Sequence, residues 1–262
     1  MHPLMNIAVK AARSASKIIL RATDRLDTVK ISEKSHNDFV TEADEQSEQE
    51  IINTIHDAYP DHAILGEESG KSGKSDYTWI IDPIDGTTNF IHGHPHFCIS
   101  IGVQFKNIIE HGLVYDPLRQ ELFTATRGTG AFLNDRRMRV AQRKQFAGSV
   151  IASSFGHKNT KEIDVFLKIL AAILPHAAGT RRSGSSVLDF AYVACGRIDG
   201  LWGMNLAPWD MAAGSLIVKE AGGIVDDFNG DCNYMHTGSV IAGNANIFSL
   251  ISQIVKKHQL EK

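Results

Sequence analysis

Segment 79–90 constrains the fold most, because an apolar run typical of a buried strand leads directly into acidic and hydroxyl residues. It reads Trp-Ile-Ile-Asp-Pro-Ile-Asp-Gly-Thr-Thr-Asn-Phe. Functional side chains often lie where a rigid element meets a loop. Pro83 fixes the turn, so Asp82 and Asp85 can lie on the same side of it. Neighbouring carboxylates repel each other unless a cation lies between them, so the segment predicts a metal site at a strand end.

The type of ligand indicates the metal. Carboxylate oxygens favour Mg²⁺, whereas zinc prefers histidine and cysteine. The following residues, 86–88, predict a short helix whose free N–H groups can receive a phosphate. An isolated Asp-Pro-Ile-Asp-Gly is more often a surface turn, but two other segments add acids at element ends. Glu67 follows a short apolar run, and Asp210 lies at a predicted helix start.

The composition excludes several classes of protein. A hydrophobic content of 43% supports a packed core, and a formal net charge of -3 gives no global attraction to nucleic acid or to an anionic membrane. Cys98, Cys195 and Cys232 are widely spaced, which argues against a disulfide framework and favours a reducing cytoplasm. Basic residues interrupt the apolar positions of residues 1–20, so we expect neither a secretory signal nor a membrane span there.

Hydrophobic periodicity indicates a mixed α and β chain. A helix is expected over 4–19, and a capping-box pattern at 41–44 begins a second helix that ends near Tyr59. An antiparallel meander is expected from the β-rich runs 77–81, 97–105, 108–115 and 121–125. The rest alternates, with strands at 150–153, 198–202 and 223–227 and helices at 163–174, 186–194 and 211–220.

One domain covering residues 1–262 is expected, because neither a repeat nor a flexible linker divides the chain. The pattern changes near residues 140–150, which predicts two lobes sharing a cleft. The N-terminal lobe is expected to cover about 1–145 and to carry the metal-binding motifs, and the C-terminal lobe about 146–262.

Four motifs resemble, in order and spacing, those of the inositol monophosphatase family, at residues 38–44, 66–69, 82–88 and 209–214. Segments 181–184 and 189–200 are most similar to its bacterial SuhB-type members. The resemblance implies a layered αβαβα sandwich, a homodimer and inhibition by lithium. It also implies a Mg²⁺-dependent phosphatase acting on inositol monophosphate, such as myo-inositol 1-phosphate, or on a related small sugar or polyol phosphate.

The same resemblance implies roles for individual residues. A first Mg²⁺ is expected on Glu67, Asp82 and the Ile84 carbonyl, and a second on Asp82, Asp85 and Asp210. Glu67 is also expected to hold a weaker third ion. The catalytic residues are expected to be Asp44, Glu67 and Thr87, with Thr87 hydrogen-bonded to Asp44 and orienting the attacking water. The expected contacts to phosphate and substrate are Asp85, Gly86, Thr87, Gly184, Ser185, Ser186 and Asp210.

Two other functions stay open. The wider superfamily includes phosphatases of fructose 1,6-bisphosphate and of NADP, and these motifs exclude neither. Some SuhB-type proteins are associated with ribosomal RNA transcription antitermination through binding. A basic surface for such a partner is offered by Arg136, Arg137, Arg139, Arg143 and Lys144, although a solvated hairpin face explains the same segment more simply.

Three other groups of residues are ambiguous. His92, His94 and His96 have a zinc-like composition, but loop residues around Gly and Pro are the more common arrangement. Arg181 and Arg182 can attract an anionic substrate or bridge subunits. The tryptophans at 202 and 209 are expected to pack in the core or in the wall of the cleft.

Gly203 departs from the family pattern. Seven residues before Asp210, the family commonly has a glutamate that binds inositol hydroxyls, and here the position is Gly203. Losing a hydrogen bond to a substrate hydroxyl removes about 0.5–1.5 kcal/mol of binding when the partner is neutral, and more when it is charged, as a glutamate is. This departure therefore predicts a weaker preference for inositol monophosphate than the family commonly has.

Gly203→Glu is expected to sharpen the preference for inositol monophosphate over other sugar phosphates, because it restores the missing acceptor. The ratio of kcat/KM values on myo-inositol 1-phosphate and on glycerol 2-phosphate measures this preference. A ratio equal to that of the unmodified protein would remove the support for this explanation.

Overall fold

The computed structural model describes residues 2–35, 38–156 and 162–259 and arranges them in alternating layers of helix and sheet. The helices are α1 (Pro3–Thr23), α2 (Glu42–Ala58), α3 (Thr87–Ile91), α4 (Ile163–Ile173), α5 (Ser186–Ala194), α6 (Pro208–Glu220), α7 (Tyr234–Thr237) and α8 (Ala245–Gln259). The strands are β1 (Ile31–Ser35), β2 (Asp38–Thr41), β3 (Ala63–Gly66), β4 (Gly70–Ser72), β5 (Tyr77–Asp85), β6 (Cys98–Phe105), β7 (Ile108–Asp116), β8 (Glu121–Thr126), β9 (Gly130–Leu133), β10 (Arg136–Arg137), β11 (Val150–Phe155), β12 (Gly179–Arg181), β13 (Gly200–Met204), β14 (Ile224–Asp226) and β15 (Val240–Gly243).

Two large sheets form the framework. The first has eight strands in the order β10-β9-β8-β7-β6-β5-β3-β4, and its pairs are antiparallel except for the parallel pair of β3 with β5. The second has five strands in the order β12-β11-β13-β15-β14. Its strands β12, β11 and β13 are parallel, and β15 is antiparallel to both of its neighbours. A separate antiparallel pair is formed by β1 and β2.

The helices complete a layered sandwich. Helices α1 and α2 pack on the outer face of the eight-stranded sheet, α5 and α6 lie between the two sheets, and α4 and α8 cover the other face of the five-stranded sheet. Each interface has its own apolar core, represented by Trp79, Phe190 and Trp202 respectively. The expected αβαβα sandwich of mixed α and β structure is confirmed.

Small residues set the distance between α6 and the first sheet. A Cβ atom on Gly102 would lie 2.9 Å from Cβ of Ala212, and one on Gly112 would lie 2.7 Å from the carbonyl oxygen of Ala213. Such approaches leave no room for a side chain on the strand. Helix α6 is therefore held close to the sheet, and its first turn carries Asp210 to a fixed position.

Most of the predicted elements are present with small differences at their ends. The capping box at the start of α2 forms as the sequence predicts. The largest differences are in α1, which continues through Thr23 instead of ending at residue 19, and in β5, which continues through Asp85 instead of ending at residue 81. The structure adds helices α7 and α8 and strands β1, β2, β4, β9, β10, β12 and β15 to the predicted set. The last strand of the first sheet ends at Arg137, and the first strand of the second sheet begins at Val150. The division of the chain into two lobes stays a prediction.

Within the described ranges, no helix combines the length and the apolar composition that crossing a membrane requires.

Gly112→Ala is expected to lower the free energy of unfolding by about 1–3 kcal/mol, because the new methyl group overlaps backbone atoms of α6 that cannot move alone. Urea denaturation measures the loss. Gly179→Ala is the matched control on another strand, since its Cβ would meet only the flexible guanidinium of Arg181, at 3.1 Å. Equal losses for the two variants would contradict close packing as the cause.

Candidate active site

A bulge in β5 turns Asp82 and Asp85 toward the same side. Residues three apart on a regular strand point to opposite faces of the sheet. Here Asp82 pairs with Ser100 and Asp85 pairs with Cys98, so three steps along β5 oppose two along β6. The extra residue changes the direction of the second side chain and interrupts the ladder at Pro83, which lacks an N–H group.

Helix α6 brings a third carboxylate to this turn. One ligand oxygen from each of Asp82, Asp85 and Asp210 lies within 4.8 Å of the other two, and we call these three residues the acidic group. Oδ2 of Asp210 accepts a hydrogen bond of 2.8 Å from the backbone N–H of Ala207, which fixes the carboxylate at the start of α6. Glu67, at the end of β3, lines the same cavity.

The carboxylate of Asp85 is held by α5. Its Oδ2 accepts hydrogen bonds from the Ser185 hydroxyl and from the N–H of Val187 at 2.8 Å, and its Oδ1 accepts one from the Ser186 hydroxyl at 3.2 Å. Ser185 is also the N-cap of α5 and is 1% exposed. The structure therefore brings Ser186 to the cavity wall, whereas Ser185 lies behind Asp85 and acts on it.

A hydrogen bond connects α2 to the turn after β5. The hydroxyl of Thr87 lies 3.1 Å from Oδ1 of Asp44 and 3.1 Å from the carbonyl oxygen of Ile84. The other oxygen of Asp44 accepts the N–H of Thr41 at 2.8 Å as part of the capping box. Asp44 is fully buried, and Thr87 and Ile84 line the cavity. The pairing of Thr87 with Asp44 is thus present.

Gly86 allows three pieces of backbone to meet beside the acidic group. Its φ is 101°, and a Cβ there would lie 3.1 Å from the carbonyl oxygen of His96 and 3.2 Å from that of Gly184. Asn89, to which no motif assigned a role, joins the same pieces, because its Nδ2 donates to the carbonyls of His96 at 2.7 Å and of Ser183 at 2.9 Å. The first turn of α3 and the start of the Gly184 loop therefore face one cavity.

The electrostatics of the acidic group fit a divalent cation. Burial raises the pKa of Asp82 well above its ordinary value, and the neighbouring carboxylates, first Glu67, raise it further. Burial also raises the pKa of Asp85, against the opposing effect of its hydrogen bonds from α5. Oδ1 of Asp82 is buried and accepts no hydrogen bond from any described residue. A hard cation such as Mg²⁺ neutralises such a set of oxygens, so the residues fit the expected metal.

The cavity around the acidic group has a volume of about 240 Å³. Away from the acids its wall contains Phe39, Phe155, Arg182, Asn205, Leu206 and Trp209. Gly203 lies within β13, and a Cβ there would be 2.9 Å from Cδ1 of Leu206. A glutamate at position 203 therefore fits only when the flexible end of Leu206, which lines the cavity, moves aside.

Glu48 is a supporting residue that the motifs did not include. It is 2% exposed, and its carboxylate accepts hydrogen bonds from the N–H groups of Glu68 at 3.0 Å and Ser69 at 2.7 Å. These bonds fix the loop that carries Glu67. The sequence contained a pattern that could have indicated this role. Glu48 follows Asp44 by four residues, so both carboxylates lie on the buried face of an amphipathic helix.

The other candidate groups lie outside the acidic group. His92 and His94 are exposed, and His96 is buried without joining the three carboxylates. Arg143 forms an ion pair of 3.0 Å with Asp199, while Arg136 is exposed on β10. Trp202 is fully buried in the core and Trp209 lines the cavity, as expected for the two tryptophans.

The fold and the three convergent carboxylates define a layered α+β protein with a metal-binding acidic site. The sequence profile of the inositol monophosphatase family matches residues 1–260, and the chain belongs to that family. This membership confirms the resemblance in the four motifs.

Individual relatives agree with this assignment. The Nus factor SuhB of Pseudomonas aeruginosa is 47% identical over 264 residues, covering 98% of this chain and 97% of the relative. The crystal structure of the extragenic suppressor protein SuhB from Bartonella henselae is similar with a TM-score of 0.95 and 41% identity, covering 98% of this chain and 99% of that one. The Thermotoga maritima IMPase has a TM-score of 0.89 and 33% identity, with 99% of each chain covered.

Mg²⁺ is expected to raise the melting temperature more at about pH 8 than at about pH 5. The pKa of Asp82 is higher in the folded protein than its ordinary value, so the metal-free folded protein holds more protons than the unfolded chain. Its stability therefore falls as pH rises through the raised pKa, and a cation offsets that loss once the carboxylate is ionised. Melting curves in EDTA and in Mg²⁺ at both pH values measure the difference.

Asp82→Asn provides the control for this experiment. Without the titrating carboxylate, the metal-free variant should melt above the metal-free unmodified protein at about pH 8 and should respond less to Mg²⁺. A Mg²⁺ effect in the unmodified protein that does not change with pH would contradict the role given to the buried acids.

Proposed function

We propose that the chain is a Mg²⁺-dependent phosphomonoesterase that hydrolyses inositol monophosphate, such as myo-inositol 1-phosphate, or a related small sugar or polyol phosphate. The observation that carries the proposal is the acidic group, whose oxygens lie within 4.8 Å of one another in a cavity beside the first turn of α3. Membership of the inositol monophosphatase family supports the same class of reaction. A homodimer and inhibition by lithium are carried over from the resemblance, and a cytoplasmic location from the number and spacing of the cysteines.

The acidic side chains would hold the cations. Asp82 would be shared by two Mg²⁺ ions, the first also bound by Glu67 and the Ile84 carbonyl and the second by Asp85 and Asp210, with a weaker third ion at Glu67. Bound Mg²⁺ lowers the pKa of its water and neutralises charge on the phosphoryl group. The hydrogen bonds from α5 keep Asp85 oriented toward this site.

Thr87 would orient the attacking water. When its hydroxyl hydrogen is directed to Asp44, a lone pair of its oxygen can accept a hydrogen bond from water in the cavity. Asp44 is itself fixed by Thr41, so the direction of the Thr87 hydroxyl is set by α2. Glu67 lies on the same cavity, beside the place proposed for that water.

The phosphate and the sugar would meet the backbone around Gly86. The N–H groups of Gly86 and Thr87, at the start of α3, would bind the phosphate. Gly184 and Ser186 line the cavity and would contact the rest of the substrate. Ser185 would contribute indirectly, through its hydrogen bond to Asp85.

Asp82→Asn is expected to lower Mg²⁺-dependent phosphate release by roughly a hundredfold or more, because it removes the carboxylate shared by the proposed cations. Release of inorganic phosphate from myo-inositol 1-phosphate, with and without Mg²⁺, measures the loss. The same assay extended to fructose 1,6-bisphosphate and NADP tests the broader specificity.

The control variant is Asp76→Asn. Asp76 is a surface carboxylate just before the opposite end of β5, and it is paired at 3.6 Å with Lys106. Its neutralisation should leave phosphate release unchanged. Equal activity of Asp82→Asn and the unmodified protein would refute the proposed function.

A second candidate function is a binding role in ribosomal RNA transcription antitermination. The observation that favours it is the name Nus factor SuhB, which relatives 45–48% identical to this chain carry. Two exposed arginines, Arg136 and Arg139, offer a basic surface for a partner. The fold keeps this surface on β10 and the segment after it, away from the residues that line the cavity.

The Asp82→Asn variant also separates the two functions. Read-through of a terminator on a ribosomal RNA leader template in cell extract should be unchanged by Asp82→Asn if binding is independent of hydrolysis. Arg136→Gln combined with Arg139→Gln should lower read-through and leave phosphate release unchanged. Arg137 is kept, because its Nη2 donates to the carbonyl of Thr129 at 2.7 Å.

A further inference from the structure

We propose that the preferred substrate carries a second anionic group, a carboxylate or another phosphate, in addition to the phosphate ester that is hydrolysed. The group would be received by the ends of β11 and β13, where Phe155, Arg182, Asn205 and Leu206 line the cavity, a surface we call the donor wall. This inference rests on the proposed phosphatase function and names the substrate class of that same site.

Arg182 gives the donor wall its charge. Among the described residues that line the cavity, it alone has a cationic side chain. The other charged side chains of the lining are the carboxylates of Glu67 and of the acidic group. Its Nη2 donates to the carbonyl of Phe155 at 3.1 Å, which holds the guanidinium beside the end of β11. A guanidinium has five N–H donors in a fixed plane, so others remain for a carboxylate or phosphate.

Asn205 adds a donor from the neighbouring strand. Its Nδ2 is buried and has no hydrogen-bond partner among the described residues, although the residue lines the cavity. A buried amide nitrogen without an acceptor is unfavourable unless a ligand or water supplies one. An anionic oxygen in the cavity would satisfy this nitrogen and the guanidinium of Arg182 together.

The backbone of Asn205 supports a functional role. Its φ is 58°, in the left-handed region where glycine is favoured. Two bonds of 2.9 Å hold the neighbouring backbone, from the Gly156 N–H to the Met204 carbonyl and from the Leu206 N–H to the Gly238 carbonyl. Glycine would occupy this position with less strain, and Nδ2 of Asn205 has no hydrogen-bond partner among the residues that the structure describes. A ligand in the cavity would explain why an asparagine is present here.

The donor wall lacks the carboxylate acceptor that the family commonly offers to a polyol. Hydroxyl groups of a sugar both donate and accept hydrogen bonds, and a carboxylate at position 203 would accept from them. Here Gly203 has no side chain, and apolar Leu206 occupies the adjoining space. Ser153 and Ser154 also line the cavity, and their hydroxyl groups can bind either a sugar hydroxyl or an anion. The positive charge of Arg182 therefore makes the wall favour an anionic group over a neutral one.

The experiment compares two pairs of phosphate esters at a fixed concentration of free Mg²⁺. In 2-phosphoglycerate a carboxylate replaces one hydroxymethyl group of glycerol 2-phosphate, and fructose 1,6-bisphosphate adds a second phosphate to fructose 1-phosphate. We expect kcat/KM to be higher for the more anionic member of at least one pair. The pair that shows the preference identifies which second anion the wall receives.

Arg182→Gln is expected to lower that preference by about tenfold, the value of a charge-assisted hydrogen bond in a partly exposed site. Arg182→Lys keeps the charge without the planar fork and should restore part of the preference. Arg181→Gln is the matched control, since the neighbouring arginine lies outside the cavity lining and donates to the Thr180 carbonyl. It should leave both ratios unchanged.

Asn205→Gly separates binding from folding. It removes the amide and gives the left-handed position the residue that suits it, so thermal stability should be unchanged or higher while the preference for the anionic ester falls. A merely structural Asn205 would leave the preference unchanged.

Two outcomes would overturn the proposal in distinguishable ways. Phosphate release with equal kcat/KM within both pairs, or with preferences that Arg182→Gln leaves intact, would refute the second anionic group and leave the phosphatase function standing. No Mg²⁺-dependent release from any of the esters or from myo-inositol 1-phosphate would refute both.

Discussion

The hydrogen bonds from α5 to Asp85 are the interaction on which the site depends. They connect residues 100 to 102 positions apart in the chain and join the end of the first sheet to a helix that packs against the second. A buried carboxylate without donors is strongly unfavourable, and two such groups on one turn repel each other as well. The acidic turn of β5 is therefore stable only when the second half of the chain has packed against the first.

Helix α6 extends the same dependence to the third carboxylate. Asp210 lies in its first turn, and the helix is buried between two sheets with glycines on the strands beneath it. The position of Asp210 relative to Asp82 is thus set by the packing of whole layers, not by a local loop. Displacements of about 1 Å in catalytic groups lower rates strongly, so the packing of the core would control the rate of the proposed reaction.

Local patterns in the sequence predict the parts of this structure that depend on local interactions. Periodicity predicted α1, α2, α5 and α6, and the strand-to-acid pattern placed Asp82 and Asp85 at one strand end. Glu48 and Asn89 bind backbone groups that are distant in the chain, so no motif indicated their roles. The resemblance named Ser185 as a substrate contact, whereas its hydroxyl donates to Asp85 in the structure. Short elements such as β12, with three residues, have too few positions for a periodic pattern. The bulge that aligns the two aspartates is likewise a property of strand pairing.

The position of α6 late in the chain has a consequence for protein synthesis. A nascent chain exposes the acids of β3 and β5 long before residue 210 leaves the ribosome, and domains fold as their sequence becomes available. The third carboxylate, and the helix that holds Asp85, are added only when most of the polypeptide has been made. Polypeptides interrupted before α6 would therefore carry the acidic turn of β5 without the third carboxylate of the proposed metal site. The proposed hydrolytic activity would then arise only late in the synthesis of each molecule.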